Sequence, residues 1–489
     1  MNSDNEDNEF DNACALSEKS FLESINEEER ERNDMIEAIA ASLGKTPDQL
    51  TAREMLTLTL NPPRKRAFFD NSAESSRKRS YNTLPIRYWD GVVKLTHVSG
   101  FVGTQFIRFQ DISTLRKALV TAFVCSMEWI EEQFPSSINM CIVLHGRPAI
   151  RSQIGPNRLL IQPPMLDDTY GVFHPKLMLL FRDESLRVVI GSANMERYDY
   201  EDIENVVFIQ DFPKLSKKLK AVSELPTFAK DLCDFLDRVR VPASVKEAFL
   251  DYDFSKAKAH IVASVSGTFE GNNYNKYGHT RLAKIVKDIG ASDPDRLPMV
   301  EMQTSSLGSL NTSYLHELYA SFCGLDQFVD GVRPSNRNKE LPPISIVYPS
   351  RNTVDSSRLG PSGASTICLN TDTWNKSTFP KQIMCDAISY RDGTLMHSKY
   401  IIATLPHGKP ERTQKNKVDG WIYCGSHNAT VSAWGKTSFN KISKRPRIRM
   451  SNWELGVVFP INESTDIVAP YIRPPPKYRA GQNAWTQSM

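Results

Sequence analysis

The sequence predicts an α/β protein, with two similar units of mixed strand and helix behind a polar tail. Three observations lead there. Strand-like and helix-like patterning alternate through most of the chain. One histidine–lysine–asparagine constellation occurs twice, once in each half. Composition changes abruptly near residue 80. At 489 residues and 40% hydrophobic content, the chain has material for two or more domains with large cores. The expected organisation is a disordered tail over 1–80, a first unit over 81–262 and a second over 263–489.

The tail comes first. Residues 1–60 hold 15 Asp and Glu against 5 Lys and Arg, so they carry −10, and the rest carries +13 of the net +3. A basic body behind an acidic tail suits a polyanionic partner. The tail has too little apolar periodicity to fold alone. Two basic clusters, Arg64-Lys65-Arg66 and Arg77-Lys78-Arg79, resemble a bipartite nuclear import signal, which makes the nucleus the expected location. Two acidic stretches each lead to an apolar residue and then Ala-x-x-x-Ser. They are Phe10, Ala13 and Ser17, then Met35, Ala38 and Ser42. On a helix such residues share one face, and a small Ala admits a close partner. Both stretches resemble ubiquitin-interacting motifs, so ubiquitin is an expected partner of the tail.

Order is expected from Tyr81. Val93–Gly100 is strand-like, and Ile112–Phe134 has helical spacing through Leu115, Leu119, Phe123 and Trp129. Asn139–Leu144 reads as a buried strand. Pro242–Lys258 is a plausible join between the units. No apolar run approaches the roughly 20 residues that cross a bilayer, and the acidic N-terminus does not suit a secretory signal. Eight scattered cysteines without a CxxC pair argue against a disulfide framework or a cysteine-based zinc site and point to a reducing compartment. The expectation is a monomer that does not engage membrane.

The repeated constellation carries the chemistry. The first copy is His174-Pro175-Lys176, strand-like Leu177–Arg182, a turn at Asp183-Glu184, strand-like Leu186–Ile190, then Gly191-Ser192-Ala193-Asn194. The second is His397-Ser398-Lys399, strand-like Tyr400–Thr404, a longer loop, strand-like Trp421–Cys424, then Gly425-Ser426-His427-Asn428. Residues two apart on a strand share a face, so each His and Lys can reach one point. The Gly-Ser pairs are expected to bring backbone close to an anion. A helix over Ala429–Trp434 would add its N-terminal dipole. Two lysines and two asparagines would surround a phosphate and neutralise charge on its oxygens. One imidazole would attack phosphorus while the other protonates the leaving oxygen, then activates water against the phospho-histidine. The lysines supply the positive charge, so neither a metal nor another cofactor is implied, and cationic neighbours do not suit zinc ligation by His174 and His397. A single His-x-Lys would mean little. The ordered pair, at hairpin distance in both halves, is specific.

The duplicated HxK…GSxN resembles the phospholipase D superfamily. That pattern usually has an Asp five residues after each Lys; here Phe181 and Thr404 stand there. The double departure is similar to the tyrosyl-DNA phosphodiesterase branch. Leu95–Gly100, Gly278-His279-Thr280-Arg281-Leu282, Gln303–Leu310, Ala433-Trp434-Gly435 and Trp453-Glu454-Leu455-Gly456-Val457 also resemble that branch, over roughly 81–480.

The resemblance implies two phospholipase D-like α-β-α sandwich domains related by a pseudo-twofold, with the site at their seam. It implies His174 as nucleophile, His397 as general acid/base, and Lys176, Lys399, Asn194 and Asn428 as phosphate ligands. Glu454 matches an acid that supports one histidine; the position where the family usually offers Gln for the other holds Asn205. Ser305, Ser306 and Ser426 match DNA contacts, and Tyr170 matches a base-stacking aromatic. The implied substrate is a DNA 3′ end blocked by tyrosine or a topoisomerase I peptide, with other 3′ blocking groups as secondary substrates. The alternatives are another phosphodiester or phospholipid hydrolase of the superfamily, or a non-catalytic DNA-binding scaffold. The resemblance also implies a further aromatic-rich stretch where this sequence reaches Met489.

Overall fold

β-strands with both faces buried dominate the centre of the molecule, because long apolar runs with few charges suit a strand covered on two sides. The computed structural model describes residues 86–101, 106–107, 114–166, 171–326, 328, 340–406, 418–463, 465 and 467–487. Tyr81 and the tail residues Phe10, Ala13, Ser17, Met35, Ala38 and Ser42 lie outside the described residues. So does Tyr170.

Strands β1 (Val92–Thr96), β2 (Phe106–Ile107), β3 (Leu115–Ala122), β4 (Asn139–Leu144), β5 (Ile150–Gly155), β6 (Arg158–Gln162), β7 (Lys176–Arg182), β8 (Ser185–Gly191) and β9 (Val206–Pro213) form one sheet. Its order is β2-β1-β9-β8-β7-β3-β4-β6-β5. The chain then supplies β10 (His260–Ser264), β11 (Gly267–Glu270), β12 (Met299–Gln303), β13 (Ile344–Val347), β14 (Met384–Cys385), β15 (Tyr400–Thr404), β16 (Gly420–Gly425), β17 (Lys436–Phe439), β18 (Pro446–Met450) and β19 (Glu454–Ile461). A second sheet runs β10-β19-β16-β15-β12-β13-β14, and a small third one runs β11-β18-β17.

The two large sheets share one topology. β1-β9-β8-β7-β3 and β10-β19-β16-β15-β12 are antiparallel at every step. Each sheet then continues with parallel neighbours, β3-β4-β6 in one and β12-β13-β14 in the other. The chain passes from one sheet to the other between Pro213 and His260. There Ala243–Glu247 and Ala248–Asp251 form short helical turns within the expected join. Residues 87–487 form one unit.

Strand alternation divides the side chains among three apolar clusters. On β7, Leu177, Leu179 and Phe181 face a central core shared by both sheets, while Met178 and Leu180 face an outer core with Trp129 and Ile130 of α1 (Met127–Gln133). On β16, Ile422 and Cys424 join the central core, and Trp421 and Tyr423 face the outer layer of the second half. α2 (Arg197–Glu201) follows Asn194, and α3 (Thr227–Val239) fills the central core with Phe228, Leu232 and Phe235. α4 (Gly278–Asp288) and α5 (Thr312–Phe322) cover the second sheet's outer face. A fully buried Leu or Val of this kind contributes about 1.5–3 kcal/mol through the hydrophobic effect.

Two expectations fail locally. Ile112–Phe134 is not one helix, because Leu115–Ala122 is strand β3 and only Met127–Gln133 is helical. β3 is buried on both faces, so its apolar run shows no period-2 alternation and imitates a buried helix. The real helix start is Ser126, whose side chain accepts the Trp129 N–H. β1 also stops at Thr96, and the chain turns near Gly100 at φ +86° rather than continuing as strand. The Asn139–Leu144 strand forms as expected.

Candidate active site

Each half presents the predicted hairpin. β7 and β8 pair from Lys176 opposite Gly191, and β15 and β16 pair from Tyr400 opposite Cys424. The histidines sit just outside these strands, on short bridges to the opposite half. His174 N–H donates to Trp453 O (3.0 Å), and His397 N–H donates to Glu204 O (2.9 Å). Both histidines and both lysines are buried. Lys176 Nζ donates back to His174 O at 2.7 Å, and Lys399 Nζ donates to His397 O.

The imidazoles are oriented by what lies behind them. His174 Nδ1 is 2.8 Å from Glu454 Oε2 and 3.1 Å from Ser426 O. A carboxylate and a carbonyl can only accept, so Nδ1 must carry the proton and Nε2 is left with its lone pair. Glu454 is itself held by the Ser426 hydroxyl and by Asn452 Nδ2 at 3.1 Å. His397 Nδ1 lies 3.2 Å from Asp199 Oδ2, which fixes the same tautomer. Asp199 also accepts the Asn194 N–H.

The asparagines complete the cradle. Asn194 Oδ1 accepts Val124 N–H at 3.2 Å. Asn428 Oδ1 accepts from Thr304 Oγ1 (3.0 Å), Ser305 Oγ (3.3 Å) and Ser306 N–H (3.1 Å). With each Oδ1 engaged, the Nδ2 groups are the ones left to donate to an anion.

The charges couple across the halves. Burial pushes the His174 imidazole well below its ordinary value, and Lys176, Lys399 and His397 push it further. Burial and Lys399 bring His397 down to about 4 against the pull of Asp199. Burial brings Lys399 down to about 7, while Asp199 and Glu454 hold it up. Burial and Lys399 also lower Lys176. Burial raises Glu454, partly offset by His427 and Lys176. Burial also opposes ionisation of Asp199, but His397, the Asn194 N–H and Lys399 outweigh it and hold its carboxyl below the usual range. Without an anion, therefore, both imidazoles are driven neutral. The expected split of one neutral and one protonated histidine needs the negative charge of a phosphate among the lysines.

Four sequence expectations are corrected. Asn205 does not reach His397. Its Oδ1 accepts from Ser192 Oγ (2.8 Å) and its Nδ2 donates to Asp199 O (3.0 Å), so Asp199 supplies the support instead. Asp199 sits on α2, five residues after Asn194, and the Asn194-x-x-x-x-Asp199 spacing was the available signal. The Gly-Ser pairs do not open backbone to an anion. A Cβ on Gly191 would lie 2.5 Å from Val206 O, and one on Gly425 would lie 2.5 Å from Gly456 Cα. These glycines let neighbouring strands approach. Ser426 is fully buried, its hydroxyl donating to Glu454 and accepting Leu455 N–H, so it supports Glu454 rather than facing DNA. Ser305 is also buried against Asn428, while Ser306 is partly exposed. The helix expected over Ala429–Trp434 is a single turn, α6 (Val431–Trp434), too short to present a sizeable dipole. His427 is packed between Tyr423 and Trp434 and bonded to Tyr423 Oη and Ser264 Oγ, as a core histidine.

The two half-sites meet: His174, Lys176, His397 and Lys399 are buried together and coupled in charge. A family model described as tyrosyl-DNA phosphodiesterase matches residues 92–483, and the chain belongs to that family. It is 25% identical over 361 residues to tyrosyl-DNA phosphodiesterase 1 of Arabidopsis thaliana, covering 70% of this chain and 56% of the relative. It is 27% identical over 308 residues to tyrosyl-DNA phosphodiesterase 1 of Drosophila melanogaster, covering 59% and 50%. The chain thus spans about half the length of these curated relatives. The crystal structure of the yeast tyrosyl-DNA phosphodiesterase superposes with a TM-score of 0.61 at 17% identity, covering 81% of this chain and all of that one. That likeness establishes the shared fold.

Proposed function

We propose that this chain hydrolyses DNA 3′-phosphotyrosyl bonds, as left by a stalled type IB topoisomerase, and other 3′ blocking groups. The observation that carries the reading is the pair of Nδ1-anchored imidazoles, His174 on Glu454 and His397 on Asp199, flanked by Lys176 and Lys399.

His174 Nε2 attacks phosphorus while the tyrosine oxygen leaves with a proton from His397. The lysines and the Asn194 and Asn428 amides hold the non-bridging oxygens as charge builds on them. Negative charge on the phosphate raises the proton affinity of His397, and ionised Asp199 stabilises the imidazolium. In the second step His397 takes a proton from water, the hydroxide displaces His174 from phosphorus, and a 3′-phosphate end is released. The nucleophile engages phosphorus rather than the leaving group, which supports a wider range of 3′ adducts. The two basic clusters of the tail fit nuclear import, and its Ala-x-x-x-Ser stretches fit ubiquitin binding; loss of ubiquitin capture by the full chain on Ala13→Arg/Ala38→Arg tests the latter.

The test of the reaction uses purified protein, excess EDTA and a 5′-labelled oligonucleotide bearing a 3′-phosphotyrosine. Wild type is expected to leave a 3′-phosphate, and His174→Ala to lose roughly 10⁴-fold or more of that activity. A long-lived covalent protein–DNA species is expected for His397→Ala. Absence of cleavage by wild type, with DNA still bound, overturns the catalytic reading in favour of a scaffold.

A further inference from the structure

The β17–β18 hairpin departs from the rest of the surface in charge. From Gly435 to Trp453 the sequence has six Lys and Arg and no Asp or Glu. Strand alternation sorts them: Thr437, Ile448 and Met450 point inward and are buried, while Lys436, Arg447 and Arg449 take the other face. The register sets Lys436 directly opposite Arg449. Like charges directly opposite each other destabilise an antiparallel pair.

The hairpin is a built element. Its base is fixed by Glu317, whose Oε1 accepts Thr437 N–H at 2.7 Å and the Thr437 hydroxyl. Its tip is fixed by Asn440, whose Oδ1 accepts the N–H groups of Ile442 (2.9 Å) and Ser443 (3.1 Å). Glu270 of β11 accepts from Asn440 Nδ2 (3.1 Å) and Ser443 Oγ (3.0 Å), so this nearby carboxylate holds the turn. Lys441, Lys444, Arg445 and Arg449 are exposed, and among the described residues no carboxylate pairs with them. In sequence the hairpin leaves the site just after Asn428 and α6 and returns immediately before Glu454.

β18 lies between β11 and β17 in a three-stranded sheet, and the exposed Lys441, Lys444, Arg445 and Arg449 form a basic patch at the tip and on β18, of the kind that nucleic-acid phosphates neutralise. We infer that this hairpin grips the phosphate backbone of duplex DNA flanking the scissile 3′ end, through Lys441, Lys444, Arg445 and Arg449. The inference rests on the DNA reading above and extends it from the terminus to the duplex beside it. The hairpin adds affinity and salt dependence to duplex substrates and leaves the chemical step unchanged.

The test compares wild type with Lys441→Ala/Lys444→Asn/Arg445→Ala and, separately, with Arg449→Gln. Asn at 444 suits the left-handed backbone there, φ +54°. Anisotropy of a labelled 3′-hydroxyl duplex reads binding without catalysis, and hydrolysis of thymidine 3′-(p-nitrophenyl phosphate) reads the site alone. The triple variant is expected to bind the duplex about tenfold or more weaker near 0.1 M salt, with its log–log salt slope smaller by ~2.7. Arg449→Gln is expected to reduce that slope by ~0.9, and both variants to keep wild-type nucleoside hydrolysis. Unchanged duplex affinity and slope overturn the inference and direct the hairpin to an acidic protein instead. An equal loss on the nucleoside substrate also overturns it, since the hairpin would then support the site. If wild type cleaves neither substrate yet the variants lose duplex affinity, the catalytic reading fails and the hairpin assignment stands.

Discussion

The two halves share a sheet topology and a backbone arrangement around their histidines, yet they support those histidines with different residues. His174 N–H meets Trp453 O and His397 N–H meets Glu204 O, so each histidine is seated on a strand start of the other half. The next residue is Glu454 in one case and Asn205 in the other. Each accepts from a Gly-Ser serine, Ser426 or Ser192. Glu454 is long enough to continue to the imidazole, at 2.8 Å. Asn205 is one methylene shorter and stops at Ser192 Oγ and Asp199 O. The missing contact is made from another direction, by Asp199 on α2. The equivalent residue in the second half, five after Asn428, is Ala433, which lies in the apolar core. Backbone symmetry thus positions the two bases, while their carboxylates come from non-equivalent positions.

The largest expected effects test whether this asymmetry follows the division of labour. Glu454→Gln is expected to slow formation of the covalent intermediate roughly 100-fold, because the nucleophile loses its orienting carboxylate. Asp199→Asn is expected to slow leaving-group protonation and intermediate hydrolysis by a similar factor, so that the covalent species outlasts that of wild type. Single-turnover kinetics with gel detection of the adduct separates the two. If both variants slow the same step alike, the comparison breaks.

An intermediate effect concerns pH. In the free enzyme His174 must be neutral, and its imidazole is held well below 6.5, so kcat/KM falls on the acid side only below the ordinary histidine range. His397 must be protonated and is brought to about 4, and Lys399 must be charged and is brought to about 7, so kcat/KM falls as pH rises through about 4 and falls further through about 7. In kcat, which reports the occupied site, both limbs should lie higher, because a bound phosphate favours the protonated form of every nearby base. Coincident kcat and kcat/KM profiles would contradict the coupling.

The smallest effect concerns the short amide. Asn205→Ala is expected to cost about 1 kcal/mol of stability for its lost hydrogen bonds, read by denaturant unfolding, with little change in rate. Asn205→Gln, which restores the missing methylene, is expected to recover several-fold of the activity lost in Asp199→Asn. Failure to recover any would show that the path from 205 to His397 is blocked rather than merely too long.

Much of the site was legible because its chemistry is local. His174 with Lys176, and His397 with Lys399, are two residues apart, and the returning strands bring Asn194 and Asn428 to the same edge; that depends only on hairpins whose apolar runs are plain in the sequence. The matching of Glu454 to a histidine rested on resemblance and agrees with a 2.8 Å contact. Other features were not legible. β3 read as helix because burial on both faces erases strand alternation. Ser426 and the Gly-Ser glycines read as ligand contacts, since a sequence cannot show that strands β9 and β19 press against them.

The sequence by itself determined the composition of the body, the paired His-Lys-Asn hairpins and the absence of the usual acidic residue after each lysine at Phe181 and Thr404. Only the tertiary structure decided which carboxylate serves which histidine. It also decided that burial and the lysines push both imidazoles toward their neutral form and that Lys436, Arg447 and Arg449 lie on one face of their hairpin. The physical reason is distance. Periodicity and spacing constrain neighbours along the chain, whereas hydrogen-bond reach, burial and charge coupling depend on segments hundreds of residues apart, such as His174 and Glu454.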